Sequence, residues 1–158
     1  MRPSRLATHP RIILATLVLL GGNALPATAE LALQDFWIRA MPPGQSMTAA
    51  YGKITNTGES PEDITVASLP FAQRIEFHKS VEHEGAMRMQ AITDLTLAPG
   101  QTLTLMPGGA HMMVMGVDDM PQEGERFDLC VDSTAGQQCT SAPVMKQGPM
   151  SDHSHHAH

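Results

Sequence analysis

Two imidazoles and two thioethers stand at spacings that a pair of β-hairpins could bring together: His78, Met89, His111 and Met113. His111 and Met113 are two apart in a run that reads as a strand, so both side chains leave the same face. Met112 and Val114 share the opposite face and are assigned to the core. His78 closes the alternating run Arg74-Ile75-Glu76-Phe77-His78, and Met89 lies in the next expected strand. Between them Ser80–Gly85 is a polar connection that can turn the chain back. Gly108-Gly109, just before His111, leaves room at the end of the sheet. This donor set selects a metal by its chemistry. Thioether sulfur is soft and prefers Cu(I) to calcium, magnesium or manganese, while imidazole serves copper or zinc. A zinc site more often recruits cysteine, histidine or carboxylate. Methionine has no proton to lose and forms no disulfide, so it stays a ligand in acid and in an oxidising compartment.

Each of these residues also has an ordinary explanation. One histidine at a strand end is a solvated polar group, and one methionine is core filler. Met41, Met47, Met106 and Met120 are read as packing or loop residues. Met87 and Met115 share strand parity with the proposed ligands and stay undecided. The composition makes the joint arrangement harder to dismiss. The chain has 12 Met and 8 His, so methionine outnumbers the 4 Phe, 1 Trp and 1 Tyr together. The C-terminus adds His153, His155, His156 and His158, with Met145 and Met150 upstream. Dense histidine tracts bind metals, and nitrogen donors suit Cu(II). A purification tag is the plain alternative, but the interrupted spelling HSHHAH argues against it. The tail is expected to capture Cu(II) near the main site.

The elements that must position the first four residues are strands. No useful helical period follows residue 30. Short alternating runs are expected to form strands at 35–40, 49–56, 63–69, 74–78, 87–92, 102–105, 111–117, 126–131 and 139–144, separated by Gly- and Pro-containing turns. That pattern predicts an all-β, antiparallel Greek-key barrel or sandwich in one domain spanning residues 30–146. Residues 147–158 have little to bury and are expected to be disordered. At the other end, Arg2, Arg5 and Arg11 precede the apolar run Ile12–Leu20, and Ala27-Thr28-Ala29 follows. This is the layout of a secretory signal peptide over residues 1–29, too short to span a bilayer, with cleavage expected after Ala29. The expected location is the periplasm, with no membrane insertion after cleavage. Beyond residue 29 the chain carries 7 bases against 16 acids, which argues against nucleic acid and anionic membrane as partners. Cys130 and Cys139 lie on adjacent expected strands. A cross-strand disulfide is ranked ahead of a redox or copper-binding thiol pair.

The spacing resembles the PCu(A)C family of periplasmic copper chaperones, whose motif is H-x10-M-x21-H-x-M. Ten residues separate His78 from Met89, twenty-one separate Met89 from His111, and Met113 completes the pattern. Ala49-Ala50-Tyr51, Thr55-Asn56-Thr57-Gly58, Met87-Arg88-Met89 and Pro107-Gly108-Gly109-Ala110-His111 are similar as well. The resemblance covers roughly residues 33–145. It implies a cupredoxin-like β-barrel holding one Cu(I) through the four side chains. It further implies delivery to the Cu(A) centre in subunit II of cytochrome c oxidase, alongside a Sco-type thiol protein. Many members carry Met directly after the first His; here Lys79 stands there, which removes an optional extra ligand. The two cysteines are not part of the family motif.

The leading expectation is thus a monomeric copper carrier that is not an enzyme, since no activated nucleophile or supported carboxylate pair is evident. Sequestration or uptake for copper homeostasis or resistance would use the same ligands. An electron-transfer cupredoxin would need a Cys followed closely by His and Met, and no His follows either Cys before His153. A β-sandwich interaction module without metal is the remaining reading.

Overall fold

Alternation decides what each strand buries, and it does so most clearly in the strand that carries two of the candidate ligands. The computed structural model describes residues 30–148. Ten strands and no helix occur among the described residues: β1 (Leu31–Arg39), β2 (Met47–Asn56), β3 (Glu62–Ser68), β4 (Arg74–His83), β5 (Ala86–Ala91), β6 (Leu95–Leu97), β7 (Thr102–Leu105), β8 (His111–Met115), β9 (Arg126–Ser133) and β10 (Gly136–Met145). They follow the path β5-β4-β8-β2-β1-β10-β9-β3-β6, with β7 also paired to β2. The expected all-β, mainly antiparallel architecture is present as an open path. The expected leader, residues 1–29, and residues 149–158 of the expected tail lie outside the described residues.

One pairing is parallel. The end of β10 lies beside β1, with Ile38 opposite Val144, while the rest of β10 pairs antiparallel with β9. Through β10 the two halves of the path share one core. Ile38, Ile54, Leu97, Met112, Val114, Leu129, Val131 and Val144 are all essentially inaccessible to solvent within it. These side chains come from both halves, so burying their apolar area is what holds the halves together.

Three departures from the sequence reading have physical causes. β1 begins at Leu31 rather than residue 35 because a bulge breaks its alternation. Asp35 has φ 55°, and the register to β2 shifts between Gln34 and Trp37. The bulge brings Phe36 against the bare backbone of Gly52, where a Cβ would lie 2.6 Å from the ring. Second, β4 does not end at His78. It continues through Ser80–His83 against β5 and turns at Glu84-Gly85, both at positive φ (53° and 78°). That extension is at most half-buried on either face, so it has no apolar alternation to read. Third, β6 has only three residues, too few for a period, yet it buries Leu97.

Buried polar groups pin the end of β2 and the start of β3. Asn56 is fully buried; its Nδ2 donates to the carbonyls of Ser60 (2.7 Å) and Leu97 (2.8 Å), and its Oδ1 accepts from the Gly58 amide. Both polar atoms of its side chain are thus bonded inside the fold, as a buried amide requires. Cys130 and Cys139 stand directly opposite each other in β9 and β10 and form a disulfide. Closing so short a loop stabilises by roughly 2–3 kcal/mol in the chain-entropy model.

Glu62 is buried at the start of β3 and accepts from the Thr134 hydroxyl (2.7 Å) and the Ala135 amide (2.8 Å). These bonds, the Thr134 hydroxyl foremost, hold its carboxyl below the usual value of 4.5. A depressed folded-state pKa contributes stability that is complete above the unfolded value and lost as pH falls through the folded one. Thr134→Val should therefore lower stability at neutral pH and flatten its loss below pH 4.5. Urea unfolding from pH 3 to 7 measures this, and parallel wild-type and variant curves would refute it.

Candidate metal centre

Strand pairing carries the candidate residues to one surface. In β8 the side chains of Met112 and Val114 are fully buried, so His111, Met113 and Met115 occupy the outer face. The register of β4 against β8 sets His78 opposite His111 and Phe77 opposite Met112. Phe77 is buried, which turns Glu76, His78 and Ser80 outward. Met89 is opposite Ser80 in β5, one position along the same face from His78. β2 completes the surface: Ala49 faces Met113 and Met47 faces Met115. Beside β2, Trp37 and Tyr51 stack with ring centroids 4.6 Å apart, and the Arg39 guanidinium lies 5.4 Å over the Tyr51 ring. Lys79, opposite Gln90, alternates to the other face. The position of the family's optional extra ligand is therefore turned away.

A cleft of about 280 Å³ opens on this surface. Met89, His111 and Met113 line it, with Pro107 and Gly108 at the β7–β8 turn and Ala49, Tyr51 and Ser80 on the strands. His78 lies beside it, its ring centroid 6.1 Å from that of His111 and the rings tilted by 38°. A metal held at about 2 Å by one nitrogen of each ring would put the centroids roughly 5–6.5 Å apart. The two rings are therefore spaced to share an ion.

Hydrogen bonding leaves one nitrogen of each ring available. His111 Nδ1 lies 3.0 Å from the Gly109 carbonyl, which can only accept, so Nδ1 carries the hydrogen and Nε2 keeps its lone pair. His78 Nε2 lies 3.0 Å from Glu76 Oε2. The bond to His78, aided by Arg74, holds the Glu76 carboxyl below its usual range, so it too acts as an acceptor. In the neutral ring this assigns the lone pair to His78 Nδ1, which is buried and has no partner within the protein. A buried, unpaired nitrogen on a ring oriented by a carboxylate is the pattern of a metal-ligating histidine. No group of three or more His, Cys, Asp or Glu converges among the described residues. The further donors lining the cleft include the Met89 and Met113 thioethers, which favour a soft ion.

Several readings of single residues change. Met112 is fully buried, as expected, and Met120 packs against the core. Met41, in the loop after β1 as read from sequence, and Met47, which instead opens β2, both line the cleft, with Met47 47% exposed. Met87 is exposed opposite Glu82 and is not among the cleft residues; Met115 accepts from Arg74 Nη2 at 3.6 Å. Met106 is exposed against Gly109. Strand parity could have flagged Met47, which is two residues from Ala49; nothing in the loop sequence marks Met41. Joined in a disulfide, Cys130 and Cys139 present no thiolate to a metal, which leaves a blue-copper centre without its cysteine. His153, His155, His156 and His158 lie outside the described residues. Gly148, where the tail was expected to be unanchored, sits against the Trp37 ring.

Comparisons with known proteins point the same way. Residues 31–144 match the family model described as "Putative lipoprotein LpqE-like". The protein named putative lipoprotein Lxx21020, from Leifsonia xyli subsp. xyli, is 30% identical over 129 residues, covering 76% of this chain and 75% of that protein. Among solved structures, Cu(I)-DR1885 from Deinococcus radiodurans superposes with TM-score 0.57 at 29% identity, covering 81% of this chain and 84% of that one. The copper-bound PCuAC domain from PmoF2 gives TM-score 0.63 at 18% identity, over 75% and 95% of the two chains, and shares the fold.

Met112 and Met113 are neighbours in sequence on opposite faces of β8, and they separate packing from surface chemistry. Met112→Ala should destabilise the fold by about 2–5 kcal/mol, the range for emptying a core site. Met113→Ala should cost less than about 1 kcal/mol. Chemical denaturation of both variants measures the difference, and equal losses would contradict this assignment of faces.

Proposed function

Since the chain belongs to the LpqE-like family and shares the fold of PCuAC domains, we propose that it is a copper carrier of the bacterial periplasm that binds Cu(I) through His78, Met89, His111 and Met113. The observation that carries the reading is the β4–β8 register. It pairs the two histidines on the same face as Met89 and Met113, with one ring nitrogen of each left free. The copper-bound state of the two solved relatives supports it, as does the exported, envelope-type description of the family.

The donors suit a carrier rather than a permanent cofactor site. Two neutral imidazoles and two thioethers leave Cu(I) its single positive charge and need no deprotonation to bind. Met89 is 60% exposed on the outer strand β5. An acceptor can therefore displace it first while the other three donors still hold the ion. Release then proceeds by stepwise ligand exchange. The acceptor we propose is the Cu(A) site of cytochrome c oxidase subunit II, with a Sco-type protein as a second partner. Both follow from the family resemblance and the ligand chemistry.

Anaerobic Cu(I) titration against a competing chelator tests the core of the proposal. Wild type should take up Cu(I) at the cleft, and His111→Ala and Met113→Ala should each weaken binding at least about tenfold. Unchanged affinity in His111→Ala would overturn it.

The histidine tail is assigned a separate task, capture of Cu(II), with tethering raising the ion's concentration near the cleft. Gly148 packs on Trp37, which stacks on the cleft residue Tyr51, so the tail leaves the fold beside the cleft. Removing residues 149–158 should abolish a Cu(II) binding event and spare Cu(I). Unaltered Cu(II) stoichiometry after truncation would end that assignment.

A further inference from the structure

The cleft holds more sulfur than the four-residue set uses. Met41 and Met47 line it together with Met89, His111 and Met113, so four thioethers share about 280 Å³. Met41 follows directly on β1, where Ala40 bonds to the Met145 carbonyl, and Met47 opens β2. The loop between them therefore returns both residues to the same opening. Ala49 stands opposite Met113, and Met47 is two residues before it on the same face. That makes Met47 and Met113 diagonal neighbours across β2 and β8, a separation that long side chains bridge. The short Ala49 side chain leaves the intervening space open. Met47 is nearly half exposed, an uncommon placement for a side chain that serves only as filler.

We infer that Met41, Met47 and Met113 form a second, all-thioether position for a soft monovalent d10 cation, Cu(I) or Ag(I), beside the histidine-containing one. The inference builds on the copper-carrier reading. Met113 belongs to both positions, so an ion moves between them by exchanging the other donors while one sulfur stays bound. No redox step or proton transfer is involved, because every donor is neutral and the ion keeps its charge. The second position is the weaker one. It lacks imidazole, and the Arg39 guanidinium in the same cleft opposes a cation there. It is therefore a stopping point at the mouth of the cleft.

An apolar groove that only accommodates a partner's side chains would keep its shape and area if methionine became leucine. A sulfur site would not. The test is methyl-13C methionine NMR of the full chain during titration with Ag(I) alone, comparing wild type with the Met41→Leu/Met47→Leu variant. In wild type the Met89 and Met113 methyl signals should shift in a first step, and those of Met41 and Met47 in a second, at least tenfold weaker. In the double variant the second step at the cleft should vanish and the first should persist. Met41 and Met47 signals that never move, or that move in the first step, overturn the second position. Silence from Met89 and Met113 refutes instead the carrier reading on which it rests. Met150 and the tail histidines do not confuse the result, because each methyl signal reports its own residue.

Discussion

The site depends on the register of β4 against β8. Both strands bury one face, Phe77 in β4 and Met112 and Val114 in β8, and that burial fixes which residues face each other. A slip of one residue would carry His111 and Met113 into the core and expose Met112 and Val114. The cost of exposing those side chains, and of burying an imidazole without partners, rules out that arrangement. The hydrophobic core thus positions donors that never touch it. The register of β2 against β8 in turn places Ala49 opposite Met113, and this small residue is one of those that line the cleft.

A second constraint acts on the rings themselves. Glu76 and the Gly109 carbonyl each engage one nitrogen of a histidine, and both are acceptors. The lone pairs are therefore assigned before any ion arrives, and the rings need not change tautomer to bind. Glu76 reaches His78 from two residues away on the same strand face, and Gly109 reaches His111 from the turn that precedes it. Each orienting partner is local in sequence, so the orientation is set within single elements of the fold. Bringing the two rings together is the task left to the sheet.

How much of this was legible in the chain follows from where alternation is one-sided. β8 alternates in burial from Met112 to Met115, with His111 buried as well at its start, and its two faces were readable from His111 to Val114. β7 likewise kept its expected bounds. The β4–β5 extension is fully buried on neither side, so the sequence showed a polar connection from Ser80 where the structure has a ladder from His78 to His83. The β1 bulge hid the first half of its strand, because an extra residue shifts the period. The parallel contact of β10 with β1 leaves no local trace; it is a long-range choice made by the core. Fixed spacing could bring the four donors to notice. It could not reveal Met41, whose place at the cleft is set by a proline-rich loop, nor the carboxylate that orients His78.

Met89 carries a liability that comes with its position. A thioether open to solvent for an incoming acceptor is equally open to peroxide. Oxidation would turn the soft sulfur into a sulfoxide whose oxygen is a hard, polar donor. A soft cation bound as proposed would keep three of its four donors, while the core and the disulfide would be untouched. The fold would persist unchanged until a reductase repaired one side chain. Because a reductase can restore an exposed thioether, the oxidant load would set the fraction of molecules that keep it.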